Sequence, residues 1–143
     1  MANLSITKEY TVTLASGEVF STQAASSVAV DNFVKREVTV PTASEVEILK
    51  VGAAVAAGTL TDIGAMVIIN GSGTNFCRLR IEDSAAHTFD IKLEPLQAFD
   101  LYNTKLSVDE TAGAFSAFTD FDTISAQFDN ADGNLIILAG ENC

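Results

Sequence analysis

The feature that most constrains this chain is a strict two-residue alternation near its middle. Phe76 to Glu82 reads F-C-R-L-R-I-E, which sets Cys77, Leu79 and Ile81 on one side and Arg78, Arg80 and Glu82 on the other. An extended strand with one buried face turns every second side chain the same way, and a helix does not. The pattern resumes after a short polar stretch, Asp83 to His87. There Phe89, Ile91 and Leu93 face in while Asp90, Lys92 and Glu94 face out. The two runs predict an antiparallel hairpin with opposite charges facing each other across the strands. Exposed pairs of that kind contribute only ~0.2–1 kcal/mol each, so they set register more than they stabilise.

The same signature recurs along the chain. Ile6 to Leu14 alternates Ile6, Tyr10, Val12 and Leu14 with Thr7, Thr11 and Thr13, turns at Ser16-Gly17, and returns through Glu18 to Thr22. Lys35 to Val40 and Val46 to Val51 read as two short strands interrupted by Pro41, which cannot donate to a central ladder. Met66 to Ile69 and Leu135 to Leu138 are unbroken apolar runs, the pattern of strands covered on both faces. Asn70-Gly71-Ser72-Gly73 is expected to turn the first run into the Phe76 strand, and Asp132-Gly133 to turn Ile124–Asp129 into the second. Ala98 to Tyr102 adds another strand after Pro95. Single helical turns fit at Ala53–Ala57 and Val108–Gly113, and no amphipathic helix of ten residues stands out.

Nine or ten short strands with little or no helix predict an all-β chain, an antiparallel β-sandwich of jelly-roll type. No repeat or linker divides residues 1–143, so a single domain is expected, with residues 1–8 as an N-terminal arm or edge strand. A chain of this length buries about 68–70% of its surface and needs no staples.

Charge narrows the partners. Eight Lys and Arg stand against 19 Asp and Glu, for a formal net charge of −11. Phosphate binding draws on a Lys/Arg surplus that this chain lacks, which argues against nucleic acid and against anionic membranes. Val51 to Ile69 carries one charge, Asp62, but its glycines and lack of aromatic anchors speak against a membrane span. The opening MANLSITK has neither the basic start nor the apolar run of a signal peptide, so Cys77 and Cys143 are expected to be reduced thiols.

Candidate chemistry is sparse. The one histidine, His87, falls in the hairpin loop, where an exposed, solvated imidazole is the expectation. Cys77 faces the core, Ser72 sits in a strand-turn-strand setting rather than a nucleophile elbow, and the glycines match no phosphate loop. An enzyme is not expected, nor a cofactor. Asp129-Asn130-Ala131-Asp132 offers several oxygen ligands, so Asp129 and Asp132 are the calcium candidates, against the simpler reading of turn chemistry. Residues 106–143 hold seven acids and no base, either an acidic docking surface for a basic partner or a set of solvated loops. Phe115, Phe118 and Phe121 recur every three residues there, either closing the open end of a sandwich or anchoring a subunit contact.

Two stretches carry a resemblance. Ile68 to Tyr102 runs from an apolar strand through a Gly/Ser turn to Leu-Arg-Ile and then to Ile-Lys-Leu-Glu-Pro-Leu-Gln-Ala-Phe-Asp-Leu. With the closing Asp-Gly-Asn-Leu-Ile-Ile-Leu-Ala, this resembles small β-sandwich structural proteins of tailed bacteriophages, the capsid decoration or cement proteins. The resemblance implies a non-enzymatic virion component that binds the major capsid protein or other virion proteins, reinforces the assembled shell and works as a homotrimer. On that reading the contact residues are Leu4 and Ile6 of the arm and Phe115, Phe118 and Phe121. The alternative is a tail or fibre module recognising a host glycan, with calcium at Asp129 and Asp132.

Overall fold

Alternation in the sequence becomes sheet in the described residues. The structure is a computed structural model that describes residues 2–51, 63–102, 105–106 and 119–142. The strands within them are β1 (Ala2–Thr13), β2 (Val19–Val40), β3 (Val46–Lys50), β4 (Ala65–Asn70), β5 (Cys77–Asp83), β6 (Thr88–Leu93), β7 (Ala98–Leu101), β8 (Lys105–Leu106), β9 (Thr119–Phe128) and β10 (Gly133–Asn142). The helical turns expected at Ala53–Ala57 and Val108–Gly113 lie outside the described residues.

All pairings are antiparallel and build two sheets, ordered β1-β2-β10-β4-β7 and β3-β9-β5-β6, with β8 added beside β9. Leave β1 aside, and β2-β3 lie against β10-β9 while β4-β5 lie against β7-β6. That is a long hairpin of chain rolled up on itself, the winding of a jelly roll, and it matches the expected sandwich.

The core lies between the sheets. β5 buries Cys77, Leu79, Ile81 and Asp83 and leaves Arg78, Arg80 and Glu82 half-buried, as the alternation demands. Ile48, Met66, Ile68, Phe121, Ile124, Phe128, Leu135 and Ile137 complete it from the neighbouring strands. β4 and β10 bury Met66, Ile68, Leu135 and Ile137, whereas Val67, Ile69, Ile136 and Leu138 on their other face are half-buried.

Three local expectations need correction. Lys35 to Val40 is not a separate strand but the second half of β2, which runs for 22 residues. The turns at Asn70-Gly71 and Asp132-Gly133 do not close hairpins. Each carries the chain from one sheet to the other, because β4 and β10 belong to the first sheet and β5 and β9 to the second. In the β5–β6 hairpin Arg80 faces Asp90 with N–O distances of 2.8 and 2.9 Å, but Arg78 stands opposite Lys92. The like charges turn apart: Arg78 donates to Glu45 and Gln127, and Lys92 pairs with Glu94 and lies over the Phe76 ring.

The sheet crossing at β4 is held by a buried amide. Asn70 is fully buried, and its Nδ2 donates to the carbonyls of Asn75, Leu93 and Glu94 while its Oδ1 accepts from the Ser72 N–H. One side chain thus ties the β4–β5 connection to the end of β6 with its polar groups satisfied.

Candidate functional site: a ribbon beyond the sandwich

β2 changes partners at Val30. From Val19 to Val30 it pairs with β1, and from Val30 to Val40 with β10 on its other side. The first half, with β1, is therefore a two-stranded ribbon that continues past the body of the sheet. Its turn is set by sequence: Leu14 N–H donates to Glu18 O, Gly17 N–H to Leu14 O, and Gly17 takes φ +84, which a residue without Cβ adopts freely.

The ribbon bends where it leaves. Gly140 pairs with Phe33 but Asn142 with Val30, so β2 carries one extra residue there. Such a bulge bends the strand and switches which face its side chains occupy. Beyond it Lys8 forms an ion pair with Asp100, although β1 and β7 are opposite edges of the same sheet. Asp100 pairs with Val67, which alternates with the buried Met66 and Ile68 and so points away from the core. The ribbon consequently folds back across the outer face of the sheet, and its root is fixed there by Val30 and Leu4 against Gly140.

The two faces of the ribbon differ in chemistry. Cross-strand pairs Leu4–Val28, Ile6–Ser26, Lys8–Ala24, Tyr10–Thr22 and Val12–Phe20 share one face. Asn3–Ala29, Ser5–Ser27, Thr7–Ala25, Glu9–Gln23, Thr11–Ser21 and Thr13–Val19 share the other, which is polar or small apart from Val19. On the first face Leu4, Ile6, Lys8 and Val28 are half-buried near the root. Every residue from 9 to 27 is exposed, and at the tip Tyr10, Val12 and Phe20 are 50%, 56% and 54% exposed, with Leu14 next in the same alternation. Two aromatics and two aliphatics at that exposure leave an apolar patch of roughly 300 Å², within the range that marks interaction sites on soluble proteins.

The other candidates fall elsewhere. Leu4 and Ile6 sit on the inner part of the ribbon as described, while Phe115 and Phe118 lie outside the described residues. Phe121 is 1% exposed and packed in the core, so within this chain it fills the sandwich rather than presenting a surface. Asp132 accepts from the backbone N–H of Thr42 at 2.9 Å, tying two loops together, and Asp129 is exposed on the same connection. Among the described residues no group of three or more His, Cys, Asp or Glu is placed to hold a metal ion. Of the seven acids of the last third, Asp109 and Glu110 lie outside the described residues, Asp120, Asp122 and Glu141 lie at the ribbon end of the sandwich, and Asp129 and Asp132 lie at the other.

His87 closes the β5–β6 turn rather than a catalytic array. Asp83 Oδ1 accepts the N–H of Ala85 and of His87, and its Oδ2 lies 3.0 Å from His87 Nδ1. These bonds, the His87 backbone N–H foremost, hold the Asp83 carboxyl below the usual carboxylate range. A cleft of about 260 Å³ lies at the opposite end of β5, lined by Thr42, Phe76, Arg78, Gln127, Phe128 and Asp129. No helix among the described residues is long and apolar enough to cross a membrane.

Fold and site together define a class: a jelly-roll sandwich with a folded-back hairpin arm. No family model, curated protein or solved structure matches the chain, so the class rests on the geometry alone.

The ribbon tip was half legible beforehand. Tyr10, Val12 and Leu14 before the Ser16-Gly17 turn are an alternating apolar set, and Phe20 follows the turn. What reveals them as a surface is the length of β2, which no local pattern announces.

Proposed function

We propose that this chain is a non-enzymatic virion structural protein, a capsid decoration or cement protein that binds the major capsid protein and reinforces the assembled shell as a homotrimer. The observation that carries this reading is the ribbon: a jelly-roll body extended by a hairpin whose exposed tip is apolar on one face. An isolated two-stranded hairpin is at best marginally stable in water, and an apolar face at its tip gains stability when a neighbour covers it. Jelly rolls are frequent in virus shells, and the resemblance of residues 68–102 and 132–139 to phage structural proteins points the same way. The test is cosedimentation with shells assembled from tailed-phage major capsid proteins. Saturable binding that raises the shell's melting temperature supports the reading, and a chain left in the supernatant at tens of micromolar rejects it.

A second reading, a tail or fibre module that recognises a host glycan, is favoured by the cleft at Phe76, Arg78, Gln127 and Asp129, which combines an aromatic ring with polar side chains. Its calcium-dependent form places the ion at Asp129 and Asp132. A melting temperature that rises in calcium and falls in chelator supports that form, because a ligand stabilises the state it binds.

A further inference from the structure

We propose that the apolar face of the ribbon tip packs against the same face of neighbouring copies of this chain, around a symmetry axis, and so makes the protein a closed homo-oligomer. The inference rests on reading the ribbon as an assembly contact and adds its occupant. Charge is the first argument. Residues 2–30 carry one base, Lys8, and two acids, Glu9 and Glu18, so they hold −1 of the chain's −11 and leave −10 on the remainder. The ribbon's net charge of −1 gives it little with which to select a basic partner, while two bodies placed face to face repel.

Length resolves that repulsion. Beyond the Lys8–Ala24 pair, anchored at Asp100, five further rungs run from Glu9–Gln23 to Thr13–Val19. At ~3.4 Å per residue they reach about 17 Å, roughly twice the ~8 Å screening length of physiological salt. Copies joined tip to tip hold their acidic bodies beyond most of the repulsion.

The chemistry of the face is the second argument. Tyr10, Val12 and Phe20 offer bulk and no charge, so the surface is complementary to itself, as a symmetric interface requires. Its roughly 300 Å² is over a third of the ~800 Å² per partner in a stable interface, and it forms an apolar centre bordered on the same face by the polar Lys8, Thr22 and Ser26. The competing route to a second copy, strand addition along the open side of β2 after Val30, meets exposed Lys35, Arg36 and Glu37 in succession, the charges that keep sheet edges from pairing.

Sedimentation velocity of the full chain from 1 to 100 µM tests this, in low and high sodium chloride. A closed oligomer is expected, tightened several-fold by salt, and weakened at least tenfold by Tyr10→Ser with Phe20→Ser. The melting temperature of the double variant's monomer stays unchanged, since both side chains are already exposed. Val12→Cys in a Cys143→Ser background is expected to cross-link copies through a short bismaleimide. A monomer throughout the concentration range, or an oligomer that neither variant touches, overturns the proposal. An arm-dependent oligomer that ignores capsid shells keeps it and removes the virion reading. A monomer that binds shells overturns it and leaves the shell-binding reading without its trimer.

Discussion

Gly140 and Val30 share the space of one side chain: a Cβ on Gly140 would stand 2.4 Å from Val30 Cγ1, with Leu4 Cδ2 at 3.5 Å. Val30 is branched and buried, so it cannot swing away as a long flexible chain could. Gly140→Ala is therefore expected to destabilise by about 1–3 kcal/mol through overpacking at the ribbon root. Adding Val30→Ala vacates the contested volume, so the double variant should recover much of the loss. Urea denaturation of the four proteins in this cycle checks it, and a Gly140→Ala cost that does not depend on residue 30 speaks against the packing.

Asn70 gives a second expectation. Truncation to Ala leaves the Asn75, Leu93 and Glu94 carbonyls without their donor in a buried setting and should cost about 2–3 kcal/mol. Asn70→Asp should cost more at pH 7, because it replaces a donor with a carboxylate facing three carbonyl oxygens. The gap between the two variants narrows as the pH falls and the new acid is protonated. Denaturation midpoints at pH 7 and pH 4 separate these outcomes.

Sequence legibility followed burial. Residues 77–93 announced their strands because one face is in the core and the other in water, so Leu79, Ile81 and Leu93 alternate cleanly with charge. Gln23 to Ser27 did not announce theirs. Both faces of that ribbon are exposed, so no hydrophobic alternation is imposed, and a 22-residue strand read as two fragments. The turns at Asn70-Gly71 and Asp132-Gly133 were recognisable as turns, but a local motif does not say whether the next strand joins the same sheet. That is decided by the packing of Phe121, Phe128 and their neighbours between the layers. The apolar tip was present in the sequence as Tyr10, Val12 and Phe20, and its exposure depends on where β10 ends, far away along the chain.

The acid side of the stability curve should carry the imprint of Asp83. Its carboxyl is held below the usual range, chiefly by the His87 backbone N–H, with the His87 ring and Ala85 N–H in support. A group depressed on folding contributes stability that is present above its unfolded pKa, about 3.9, and is lost as pH falls through the folded value. Asp83→Asn should thus lower stability by a constant amount above about pH 5, and the difference should vanish in stronger acid. Parallel thermal melts from pH 2 to 7 test this, and curves that stay offset at pH 2 count against it.

Cys77 reports on opening of the core. It is fully buried, and burial pushes its thiol up to about 11. Both effects suppress the thiolate that reacts with alkylating agents. In native buffer the Cys77 peptide should stay unmodified by iodoacetamide for hours, and should react within minutes in denaturant. Mass spectrometry of that peptide gives the answer directly, and prompt native labelling would contradict the packed β5–β9 core.

Phe121 separates a packing role from an assembly role. Its backbone pairs with Asp83 across β5 and β9, and its ring is buried among the largest side chains of the core. Phe121→Ala should cost about 3–5 kcal/mol, the range for removing a buried ring and leaving its cavity. The loss should appear at every protein concentration, because it belongs to the folding of one chain. Tyr10→Ser and Phe20→Ser, at exposed positions, should instead change stability only where copies associate, and more so as concentration rises. Melting temperatures at 2 and 100 µM distinguish the two. A Phe121 variant whose melting temperature matches the parent's at low concentration would move that ring from the core to a contact between chains.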